Sequence, residues 1–138
     1  MDYQQIINAI RDAANAVNPT GTFIHGRNSD AANRPDAPYP RIHLYPFTQD
    51  RQPNDLERRS SSILMAFVKA DTGDNDVNER EAIIAEMDSL CNAFIDELIE
   101  ENSDAVQFDS VRTEPQYNVL EGVSGFSLSI NMVTVAGC

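Results

Sequence analysis

The chain has 138 residues, 41% of them hydrophobic, and a formal net charge of −12, which is one domain's worth of ordinary globular composition. No apolar run approaches the ~20 residues of a membrane span, and the opening MDYQQIINAI lacks the charged start and apolar core of a signal peptide, so neither a membrane protein nor a secreted one is expected. With 22 acidic residues against 10 basic ones, Lys69 being the single lysine, the chain lacks the cationic surplus whose counterion release drives binding along nucleic-acid phosphates.

In the first segment, Ile6, Ile7, Ile10, Ala13, Ala14 and Val17 step by threes and fours, the spacing that predicts a helix over 3–17. Pro19 pushes Asn18 out of the helical region and ends it. Thr22 to His25 then reads as a short strand. Residues 26–40, GRNSDAANRPDAPYP, are rich in breakers, without hydrophobic period, and are expected to form a long exposed loop. The next strand, Arg41 to Tyr45, lies between Pro40 and Pro46, which marks it as short or at a sheet edge. Residues 48–59, with Arg51, Pro53, Asp55, Arg58 and Arg59, read as a second exposed loop.

Ser61 to Val68, SSILMAFV, is an almost unbroken apolar run and predicts a central strand buried on both faces. Asp76, followed three residues later by Glu79, has the spacing of a capping box. Ile83, Met87, Leu90, Cys91, Phe94 and Leu98 then predict a long helix from about Val77 to Glu101. Beyond it the period changes to two. Strands are expected over 105–112 and 116–120, divided by Pro115, and a final long strand points Phe126, Leu128, Ile130 and Met132 one way and Ser127, Ser129 and Asn131 the other. The order is α-β-β-β-α-β-β-β. It predicts a single α+β domain, with a mostly antiparallel sheet carrying two helices packed on one face.

No motif points to catalysis. His25 and His43 each stand in a predicted strand outside any recognisable constellation, and the chain has no GxSxG, P-loop or GxGxxG. Asp74, Asp76 and Asn78 fall at the first, third and fifth positions of an EF-hand-like spacing, but Glu79 and Ala85 occupy its glycine and bidentate-glutamate positions. Asp71 and Glu79 therefore read with them as an acidic turn at a helix start. Cys91 lies in a helix's apolar stripe and Cys138 is the last residue, so neither a disulfide nor a zinc pair is expected. A reducing intracellular setting fits that usage. No enzyme activity, metal or cofactor is expected.

Charge is unevenly spread. Residues 1–69 hold 7 acids and 8 bases, while residues 70–138 hold 15 acids and 2 bases, a split that reads first as a solvated acidic helix surface and, alternatively, as a basis for head-to-tail attraction between copies. The arginines Arg27, Arg34, Arg51, Arg58 and Arg59 are the candidates for forked pairs with carboxylates of the long helix, among them Glu97, Glu100 and Glu101.

An N-terminal amphipathic helix, a proline-flanked strand (Tyr39-Pro40-Arg41-Ile42-His43-Leu44), a buried strand after a variable loop and a long second helix follow one another here. The ending, Arg112-Thr113-Glu114-Pro115-Gln116-Tyr117, Gly122 and a long alternating strand, completes a layout that resembles the tail terminator proteins of long-tailed bacteriophages. That resemblance implies a ring, usually of six subunits, that caps the tail tube, stops its polymerisation and meets the head connector, inside a virion assembled in the bacterial host cytoplasm. The partners it implies are further copies of the chain, the tail tube protein and a head connector or stopper protein. DNA would pass through the ring without specific binding, helped by the acidic surplus. Another phage neck or head-completion protein, a small cytosolic α+β enzyme gathering His25, His43 and Arg41, and an adaptor for a basic partner are the alternatives.

Overall fold

The computed structural model describes residues 1–27, 36–71, 77–120 and 122–135. Asp2 starts the first helix, α1 (Tyr3–Val17): its carboxylate accepts from the Gln5 N–H, while the Gln5 side chain accepts from the Asp2 N–H, each at 2.8 Å. This reciprocal pair satisfies two donors that a helix start otherwise leaves orphaned. Ile6, Ile7, Ile10, Ala13 and Ala14 are buried along one face. At the other end the Asn18 side chain donates to the Pro40 carbonyl at 2.9 Å, tying the helix exit to the start of a strand.

The strands are β1 (Thr22–His25), β2 (Arg41–Leu44), β3 (Thr48–Gln52), β4 (Asp55–Ala70), β5 (Val106–Leu120) and β6 (Val123–Val135), with the long helix α2 (Val77–Asn102) between β4 and β5. They form one sheet in the order β1-β2-β4-β6-β5, with β3 paired to the remaining length of β4. Every pairing is antiparallel except β1 with β2. The expected α+β class, with a mostly antiparallel sheet and two helices, is the architecture observed, and β4 is central as expected.

The boundaries differ from the sequence reading in three places. Residues 48–59 are not an irregular loop. They form most of a hairpin in which Gln52 pairs with Asp55 around Pro53-Asn54, so the proline supplies a turn where its pattern suggested only a break. Second, β4 is not buried on both faces throughout: Ser62 and Leu64 are exposed, and burial alternates until Met65, Ala66 and Phe67. Third, the strands expected over 105–112 and 116–120 are one strand, β5, which starts at Val106 and passes through Pro115 with register shifts between Phe108 and Ser110 and between Gln116 and Leu120. A proline is tolerated there because β5 is the sheet's edge and need donate on one side only. β2 is short but interior. Its flanking prolines lie just outside its four paired residues, so none of its ladder donors is lost. The expected cap at Asp76, the middle of the 26–40 loop, and Cys138 lie outside the described residues.

Phe126, Leu128, Ile130 and Met132 of β6 and Ile63, Met65 and Phe67 of β4 share the helix-facing side by register. They meet Ile83, Met87, Cys91, Phe94 and Leu98 of α2 and the isoleucines of α1 in one core. Phe94 is fully buried and meets Phe67 edge-on, with ring centroids 5.4 Å apart. Gly125 of β6 sits where a Cβ would fall onto the Phe67 backbone carbonyl, so this close approach of β6 to β4 requires glycine. Truncating Phe94 to alanine is expected to destabilise the fold by roughly 3–5 kcal/mol, whereas Leu64→Ala, on the open face, should change stability by no more than about 0.5 kcal/mol. Chemical denaturation of the two variants checks the contrast. Equal losses would misplace the core.

Candidate functional site

The two histidines do not share a site. His25 pairs with Leu44 and faces the helices, its ring 6.5 Å from that of Tyr3. His43 pairs with Ile24 and Ala66 and faces the other way. Its Nε2 lies 2.6 Å from the Gly26 carbonyl, which can only accept, so Nε2 carries the proton. Arg41, also on that side and 8% exposed, donates from Nε and Nη2 to the Ala37 carbonyl at 3.1 and 2.8 Å and stacks over the Tyr39 ring at 4.1 Å. Arg41 and His43 thus pin the described ends of the 26–40 segment to the sheet, and the sheet itself separates them from His25. Among the described residues no group of three or more His, Cys, Asp or Glu is arranged to hold a metal ion.

The candidate interaction residues are distributed as follows. Arg34 lies outside the described residues, and Arg27 is exposed just after β1. Arg51, Arg58 and Arg59 are brought together by the β3–β4 hairpin. Arg51 and Arg59 are direct cross-strand partners, so their side chains leave the same face of the ladder. Arg58 emerges on the opposite face. Like charges directly opposite one another in a ladder repel, yet among the described residues none of these three arginines is within ion-pair reach of a carboxylate. The Nε of half-buried Arg59 is enclosed without a hydrogen-bond partner.

The acids stand elsewhere. Glu97 and Glu101, near the C-terminal end of α2, line a cleft of about 240 Å³ against α1 together with Asp12, Ala9, Ala13 and Asn102. Glu100 is exposed beside them. None of Asp12, Glu97, Glu100 and Glu101 meets a cation among the described residues. α2 makes an ion pair elsewhere, Glu86 with Lys69 at 2.9 Å, half-exposed and in the helix's first half. Asp12 escaped the sequence reading because its spacing marks only the outer side of α1. Nothing local says that α2 will lay two glutamates alongside it.

On the side of the sheet away from the helices, Ser62, Asn131 and Ser110 form a cross-strand chain. The Ser62 hydroxyl donates to the Asn131 amide oxygen at 3.4 Å, and the Asn131 amide donates to the Ser110 hydroxyl at 3.0 Å. Ser129, Arg112 and the exposed Leu64 complete a shallow trough there. This face is polar with few charges, unlike the helix layer.

Comparison with protein-family models and with curated proteins finds no match for the chain.

Cys91 is fully buried, and its thiol is pushed up to about 12 by burial and, second, by the nearby Asp88 carboxylate. Such a thiol is neither nucleophile nor ligand near neutral pH. Because the folded value lies above that of the unfolded chain, near 8.5, the native state holds the proton longer. Its contribution to stability is complete below about pH 8.5 and is lost as pH rises from there toward 12. Thermal midpoints of the wild type and Cys91→Ala, taken from pH 7 to 10, should converge as pH rises. A constant gap between them would contradict the assignment.

Proposed function

We propose that the protein is a structural component of a long-tailed phage particle, forming a ring that caps the tail tube, stops its growth and joins it to the head connector. The observation that carries this reading is the separation of charge on the folded chain. An arginine-bearing hairpin and an acidic helix layer occupy different places, and among the described residues they form no ion pair with each other. Surfaces of opposite sign at non-equivalent positions favour heterologous contacts, which close into rings when the rotation between copies allows. The α+β architecture, with two helices over one face, is the one expected of the family the sequence resembles. The polar open face and the described ends of the 26–40 segment leave area for a tube below and a connector above. An acidic helix layer repels phosphates, which suits passage of DNA without capture.

The test is tube growth. Purified tail tube protein polymerised with increasing amounts of the chain should give progressively shorter tubes with the chain at one tip. Tubes whose length and ends ignore the chain would defeat the reading.

A further inference from the structure

Arg51 and Arg59 stand directly opposite one another in the β3–β4 ladder. A cross-strand arginine pair is destabilising by itself, and no carboxylate of the same chain neutralises it among the described residues. The hairpin register places the two guanidinium stems side by side on one face, while the buried, unbonded Nε of Arg59 keeps a donor waiting for an acceptor. The arrangement has the form of a fork for carboxylates. Across the same molecule, Glu97 and Glu101 lie one helical turn apart on α2 and share a cleft with Asp12, and among the described residues no base offsets them. Residues at i and i+4 on a helix have Cβ atoms about 5–6 Å apart, and like charges there destabilise it.

We propose that the Arg51–Arg59 pair of one copy docks on the Asp12–Glu97–Glu101 cleft of the next. The contact relieves two like-charge clusters at once, and charge complementarity selects a second copy of this chain over a nucleic acid, which the acidic helix layer repels. This inference rests on the ring reading above and gives it a specific joint. The joint is heterologous, because the hairpin and the cleft are different surfaces.

Four chains test it at about 50 mM salt by sedimentation velocity: the wild type, R51E/R59E, E97K/E101K, and the chain carrying all four changes. The wild type should self-associate, and its dissociation constant should rise at least tenfold at about 500 mM salt, where screening is strong. Each double variant should be monomeric alone. Mixed with each other, the two doubles bring opposite charges to both kinds of joint, the native pair at one and the swapped pair at the other, so they should co-assemble in alternation. The fourfold variant restores opposite charges at every joint and should assemble again. Circular dichroism guards against unfolding, and should the hairpin variant fail to fold, E97K/E101K carries the test through loss of association. A wild type that stays monomeric at millimolar concentration in low salt, or double variants that associate like the wild type, would overturn the joint. So would salt-sensitive retention of the wild type on duplex DNA that R51E/R59E loses, since the arginines would then serve phosphates. Tube-length control that persists in R51E/R59E would remove the joint while leaving the ring reading intact.

Discussion

The edge-on contact of Phe94 with Phe67 fixes the rest of the molecule. Phe67 stands in β4, the strand that pairs with β2, β3 and β6, and Phe94 stands in the buried stripe of α2. Once that contact is made, the helix lies across the strand that every other part of the sheet except β1 and β5 touches directly. Leu98 and Cys91, three to four residues either side, then reach the same core. α1 closes the layer by setting its isoleucines against the sheet and its outer side against α2. Its polar side carries Asp12 to the α2 glutamates. An apolar contact thus positions an electrostatic surface it does not itself belong to.

The two sides of the sheet differ because β6 alternates without interruption from Phe126 to Met132. With period two, every apolar residue on the helix side forces a polar one to the other. That side carries hydroxyls and amides that bond to each other across strands, as Ser62, Asn131 and Ser110 do. Toward β2 the same side differs again, with Arg41 bonded to the Ala37 carbonyl and His43 to the Gly26 carbonyl. A single sheet therefore has a sealed face and a wet face, traceable to which residues fall on odd and even positions.

Period and burial were legible in the sequence to the extent that they were large. The stripe from Ile83 to Leu98 placed α2 to within a residue, and the alternation from Phe126 to Met132 found β6, which runs three residues further at each end. The hairpin from Thr48 to Arg59 escapes the sequence reading because its residues are almost all polar: a polar run carries no period, and Pro53 reads as a break whether it ends a strand or turns one. The same proline logic divided β5 at Pro115, since a sequence does not show that a strand will be an edge. Among the candidate interaction residues, the arginines stood out by their number in a lysine-poor half. Their pairing as Arg51 opposite Arg59, and the arrival of Asp12 beside Glu97 and Glu101, depend on register and on helix packing, which are properties of the whole fold.

The ladder between β4 and β6 runs without a break from Arg58 opposite Val135 to Ala70 opposite Val123. Antiparallel bonds lie perpendicular to the strands, so a force drawing these two strands past each other meets all of them in parallel, as a shear. The β3–β4 hairpin, loaded from its tip, would instead open one pair at a time. The direction in which load enters the molecule thus decides whether it behaves as a rigid block or as a zipper.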